Sequence, residues 1–146
     1  MDSVDAWSEQ IAGVVTFPDG TSVRGRGLHE GRPAGQLTPQ FGLYLTGKPH
    51  TEPDWECRWV RWPDFRLPHS TAEAIGALAE VFRRAATSKV EIACAGGTGR
   101  TGSALAILAR LSGVPSGDAI AWVRANYRPR AVETFRQRRW VERTPI

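Results

Sequence analysis

At 146 residues the chain is long enough to bury a real core and short enough to be one domain. The balance of 41% hydrophobic and 23% charged residues is that of an ordinary globular protein, and two cysteines exclude a disulfide scaffold. A net charge of +4, carried mostly by Arg, suits an anionic partner as well as a solvated basic surface; with no nucleic-acid motif, no nucleic-acid partner is expected.

The opening Met1–Trp7 lacks a basic region and an apolar stretch, so no secretory signal is expected. No apolar run approaches the roughly 20 residues that span a bilayer, so no membrane partner is expected. Sparse cysteines fit a reducing compartment, and the expected location is cytoplasmic.

In chain order, residues 11–17 and 21–24 are β-prone runs around Pro18-Asp19-Gly20, a hairpin signal. Residues 25–39, rich in Gly and Pro, read as loop. Phe41–Leu45 reads as a strand. Trp55, Cys57 and Trp59 alternate with Glu56, Arg58 and Val60, which predicts a half-buried strand. Ser70-Thr71-Ala72-Glu73 has capping-box spacing and opens a helix with Ile75, Leu78, Val81, Phe82 and Ala85 on one face, ending near Thr87-Ser88.

Lys89–Ala93 reads as a short buried strand, and Ser103–Leu111, apolar almost all round, as a buried helix closed by Gly113. Val114-Pro115-Ser116 starts a third helix with Ala119, Ile120, Val123 and Tyr127 on one side; residues 133–142 form a more polar last one. Strands early, then strand–loop–helix, then helices, predict an α/β domain over 1–146 with a central mixed sheet flanked by helices. Its 1–54 part is β-rich, and the chemistry lies in 55–146.

Between the buried strand and the buried helix lies Cys94-Ala95-Gly96-Gly97-Thr98-Gly99-Arg100-Thr101-Gly102. Strand, glycine-rich turn and helix N-terminus in that order form an anion site: free backbone N–H groups point into the turn and the helix dipole favours negative charge. Glycines at 96, 97 and 99 let the backbone curl and approach a ligand. Cys94 at such a terminus beside an Arg is drawn towards its thiolate form. Arg100 offers a planar fork that matches two phosphate oxygens, and Thr101 can place a hydroxyl near the sulfur. Nucleophile, oxyanion cradle and clamp share one loop.

Cys94-x5-Arg100-Thr101 resembles the signature of the cysteine-dependent protein tyrosine phosphatases and their dual-specificity relatives. Trp62-Pro63-Asp64-Phe65, followed by Pro68, resembles that family's mobile general-acid loop. Ala131-Val132-Glu133-Thr134 followed by Gln137 resembles the segment presenting a water-positioning glutamine in small members. The three stretches occur in the family's order. The family has His where this chain has Ala93, and often Gly where Arg130 stands; the segment before residue 55 carries no comparable motif.

The resemblance implies a phosphatase-like fold with a largely parallel central sheet. It also implies hydrolysis of a phosphomonoester through a cysteinyl phosphate. Cys94 would be nucleophile and Arg100 the clamp, with Thr101 beside the sulfur. Asp64 would act as general acid then base, and Gln137 would orient water; Ala95, Gly96, Gly97, Thr98, Gly99 and Arg100 would bind phosphate. The expected substrate is a phosphorylated protein, above all phosphotyrosine and with dual specificity open, or a small phosphomonoester. No cofactor, no metal and a monomer are expected.

Each assignment has a plainer alternative. Cys94 could be a core thiol, Arg100 a surface or capping Arg, Asp64 a turn residue after Pro, and Gln137 a solvated helix residue. Asp19 and Asp54 also follow Pro but lack the surrounding motif. Cys57 reads as strand core, with a protective disulfide to Cys94 as its alternative. His29, His50 and His69 have no ligand spacing. The glycine loop lacks the Lys of nucleotide-binding loops, which rejects that reading. Two rival functions stay open: a phosphate-reading pseudophosphatase, motivated by Ala93, and a phosphoinositide or nucleotide phosphatase.

Overall fold

The computed structural model describes residues 6–146; the part of the secretory-signal reading that rests on residues 1–5 lies outside them. Five strands make one sheet: β1 (Val14–Thr16), β2 (Ser22–Gly27), β3 (Phe41–Thr46), β4 (Glu56–Arg61) and β5 (Val90–Cys94). Their spatial order is β1-β2-β5-β3-β4. Among the described residues only the β1–β2 pair is antiparallel, so the sheet is mixed and largely parallel. The helices are α1 (Thr71–Ala85), α2 (Gly99–Leu111), α3 (Ala119–Asn126) and α4 (Phe135–Arg143).

The central position of β5 explains its sequence. With β2 on one side and β3 on the other, all five of its residues are buried, and a parallel strand covered on both faces reads as an unbroken apolar run. Glu91 is the exception within that run. It is fully buried and takes bonds from Arg24 Nη2 (2.6 Å), Arg26 Nε and Nη2 (2.9 and 2.8 Å) and the Tyr44 hydroxyl (2.6 Å). Burial opposes its charge, but the donors of Arg26, Tyr44 and Arg24 outweigh that and hold its carboxyl below the usual range.

The same cluster corrects the reading of residues 25–39 as loop from their start. Residues 25–27 continue β2, because Arg24 and Arg26 turn to Glu91 while Gly25 between them lies under the Tyr127 ring, where a Cβ would collide. Glycine here marks close packing and not a turn. The predicted hairpin is present: Phe17 N–H donates to Thr21 O at 2.8 Å, and Gly20 takes a positive φ of 90°.

Ser70 caps α1 by accepting from the Glu73 N–H at 3.1 Å, as its spacing predicts. Ala74, Ala77, Leu78, Val81 and Ala85 are its buried face, with Ile75 and Phe82 partly buried. β4 departs from simple alternation. As the sheet's edge it buries Val60 fully, while Cys57, Arg58 and Trp59 are half-buried. α2 starts at Gly99, four residues before the predicted start, so the end of the glycine loop is itself the helix's first turn. Every α2 residue from Gly99 to Ala109 is buried, against α1, α3, α4 and β5. No described helix is long and apolar enough to cross a membrane.

Candidate active site

Cys94 ends β5, and the chain then curls through Ala95–Thr98 into α2. Thr98 is the N-cap residue but supplies no side-chain cap, so the first N–H groups of α2 stay available to an anion. Gly97 has a φ of 76°, and a Cβ on it would strike the backbone of Gly27; only glycine fits this crossing of the loop over β2.

The sulfur of Cys94, nearly buried, accepts from the Gly97 N–H (3.2 Å) and from the Thr101 hydroxyl (3.1 Å). Two donors converging on one sulfur suit an anion there. Arg100 is buried too. Its Nη1 donates to the carbonyls of Leu45 (3.2 Å) and Trp62 (3.1 Å), and its Nη2 meets Asp64 Oδ1 at 3.2 Å. The guanidinium thus lies between β3, the 62–68 loop and the cradle.

A cavity of about 110 Å³ is lined by Asp64, Phe65, Cys94, Arg100, Glu133 and residues of the glycine turn. That brings together Cys94, Arg100 and Asp64, three residues singled out in the sequence. Trp62 anchors the loop that carries Asp64: it is fully buried, donates Nε1 to Arg66 O (2.7 Å) and packs edge-on against Trp140 at 5.1 Å. Next to Asp64, Phe65 has a φ of 60° and is 58% exposed, so a bulky residue is held in a costly conformation at the mouth of the cavity.

Gln137 lies apart from the cavity lining. It is fully buried at the third position of α4, where its Oε1 accepts from the N–H groups of Glu133 (3.0 Å) and Thr134 (3.2 Å) and its Nε2 donates to Arg66 O at 3.3 Å. It caps α4 and ties that helix to the 62–68 loop. Thr134 completes the capping box. Glu133, given no role by the sequence reading, is the α4-side residue that lines the cavity; a Cβ at Gly99 would collide with its carboxylate. It follows Val132, a β-branched residue with a φ of 68°, held by Arg124 Nη2 on its carbonyl at 2.7 Å. A strained residue therefore flanks the cavity on each side, a local feature that periodicity does not encode.

Cys57 and Cys94 are both free. Cys57 pairs with Gly42 and Gly42 with Glu91, which puts Cys57 two strands across and three residues back from Cys94, roughly 14 Å away by standard sheet spacing. A disulfide needs Cα atoms within about 7 Å, so this fold does not support the alternative reading of Cys57. Among the described residues no group of three or more His, Cys, Asp or Glu side chains could hold a metal ion.

Comparison with known proteins agrees with this arrangement. The family model described as protein-tyrosine phosphatase matches residues 38–143. The solved structure of Tk-PTP in its active form superposes with a TM-score of 0.68 at 25% identity, over 90% of this chain and 97% of that one. The G95A mutant form of Tk-PTP gives a TM-score of 0.59 at 26% identity, over 69% and 73%. No match was found among curated proteins.

Proposed function

The chain belongs to the protein-tyrosine phosphatase family, and from that premise we propose that it dephosphorylates protein phosphotyrosine through a cysteinyl phosphate on Cys94. The observation carrying the reading is the convergence, on one small cavity, of a doubly hydrogen-bonded sulfur, the Arg100 fork and the Asp64 carboxyl.

In the first step the Cys94 thiolate attacks phosphorus, and the P–O bond to the tyrosyl oxygen breaks as Asp64 gives that oxygen its proton. Arg100 and the inward N–H groups of residues 95–100 take the charge on the three non-bridging oxygens. In the second step water attacks phosphorus while Asp64 removes its proton. The S–P bond breaks, releasing phosphate and restoring the thiolate. Gln137 acts on this step by holding the 62–68 loop and α4 together around the attacking water. No cofactor is needed for this balance.

Support for an aryl substrate comes from Phe65, whose exposed ring stands beside Asp64 at the cavity mouth and offers a face for a phenyl ring to stack on. The test is a panel of phosphotyrosine, phosphoserine and phosphothreonine peptides of otherwise identical sequence. A kcat/KM about two- to tenfold higher for phosphotyrosine is expected from one aromatic contact. Equal values would favour dual specificity, and preference for an inositol or nucleotide phosphate would replace the substrate class.

A further inference from the structure

An anion cradle needs its N–H groups turned inward, so its carbonyls must be held outward by something else. Here each of three successive carbonyls has an external donor. Ala95 O accepts from the His29 N–H (3.0 Å), Gly96 O from Arg128 Nη1 (2.8 Å) and Gly97 O from the Tyr127 hydroxyl (2.5 Å). The middle bond differs from the others in what lies across its peptide. The peptide group is planar, and the N–H opposite Gly96 O is that of Gly97, the donor to Cys94 Sγ.

We infer that Arg128 is a positioning residue for Cys94: through the Gly96–Gly97 peptide it aims and strengthens the N–H that bonds the sulfur. This rests on the proposed cysteine mechanism. Two glycines leave that peptide's orientation poorly fixed by the chain itself, and the buried Ala93 before the cysteine offers the loop no polar side chain. A guanidinium on the carbonyl is a charge-assisted bond, and bonds in series polarise one another.

Arg128 is itself held. Its Nη2 pairs with both oxygens of Glu30 (2.9 and 3.1 Å), and Glu30 in turn accepts from the Gly27 N–H at 2.9 Å. Arg128 Nη1 also reaches the Thr98 hydroxyl at 3.2 Å. Tyr127 fixes the next peptide, whose N–H belongs to Thr98 and not to the sulfur's donor. The other charged side chains facing the cradle are Arg100, Asp64 and Glu133.

The experiment reads the thiol rather than turnover: the rate of Cys94 alkylation by iodoacetamide and the thiolate's ultraviolet absorbance, from about pH 4 to 9. Variants are Arg128→Met, Arg128→Lys and Tyr127→Phe, with thermal melting as the check on folding. Arg128→Met is expected to react about tenfold more slowly near pH 6, with the wild-type rate recovered in alkali and the deficit persisting in about 1 M salt. Arg128→Lys should fall between the two. Tyr127→Phe should keep the wild-type thiol profile while binding inorganic phosphate more weakly.

A native-like Arg128→Met with the wild-type profile would overturn the inference, as would a deficit that salt abolishes, since that is charge acting through space. If Arg128→Met does not fold, a wild-type profile in Arg128→Lys overturns it. An ordinary thiol profile in the wild type would instead overturn the cysteine mechanism beneath it.

Discussion

The guanidinium of Arg100 donates to the main-chain carbonyl of Trp62 at 3.1 Å, which joins the start of α2 to the loop that carries Asp64. The same side chain meets Asp64 at 3.2 Å. One cation therefore stands between the glycine turn, the Asp64 carboxylate and the base of the 62–68 loop. Asp64 is 57% exposed at its side chain, so this ion pair contributes little to stability; its consequence is placement.

Arg100→Lys keeps the charge but loses the fork, and cannot serve Trp62, Leu45 and a phosphate together. The expected outcome is a fall in kcat/KM for p-nitrophenyl phosphate of about 10²–10³ with a lower melting temperature, because the carbonyls of Leu45 and Trp62 lose their buried donor. Steady-state kinetics with a thermal melt checks both halves.

Removal of the acid should show in the leaving group. Asp64→Asn is expected to lower kcat by about 10²–10⁴ for phenyl phosphates with poor leaving groups, and far less for those whose phenolate leaves without a proton. A series of substituted phenyl phosphates measures this as a steeper dependence of log kcat on leaving-group acidity than in the wild type.

Much of this site was legible because its chemistry is local. The cysteine, the glycines and Arg100 lie within one short loop whose strand-to-helix setting follows from hydrophobic pattern alone, and α1 was visible from Ser70 and its apolar face. What stayed hidden depended on residues far apart in the chain. Gly25-Arg26-Gly27 reads as the start of a loop until Glu91 and Tyr127 are beside it. Gln137 and Glu133 are four apart on one segment, and only packing decides that the first caps α4 while the second faces the cavity. Tyr127 and Arg128 lie some thirty residues from the carbonyls they hold, and no periodicity links them.

The Glu91 cluster sets an acid limit on stability. Its carboxyl lies below the usual range when folded, so the folded state holds fewer protons than the unfolded one through that range. The stabilisation is complete above the ordinary carboxylate value and is lost as pH falls through the folded value. Glu91→Gln leaves Arg24 and Arg26 buried against a neutral partner, and should cost about 3 kcal/mol at neutral pH. Urea unfolding against pH should give a flatter acid limb for the variant than for the wild type.

Gln137 has a structural duty that its proposed part in hydrolysis builds on. Gln137→Ala strips the bonds to the Glu133 and Thr134 N–H groups and opens a buried site, so a loss of about 2 kcal/mol is expected. Its effect on chemistry should fall on the second step. Rapid mixing with p-nitrophenyl phosphate should show a normal burst of phenolate followed by a slower steady state.

The most direct test of the whole account is covalent. Wild type and Cys94→Ser would be mixed with p-nitrophenyl phosphate in EDTA, quenched in acid and examined by intact mass and peptide mapping, alongside turnover. The account predicts sustained turnover by the wild type, one phosphate trapped on Cys94, and neither in the variant, which still binds inorganic phosphate. Turnover that survives in Cys94→Ser, or a folded wild type that binds phosphate and never phosphorylates its cysteine, would contradict it.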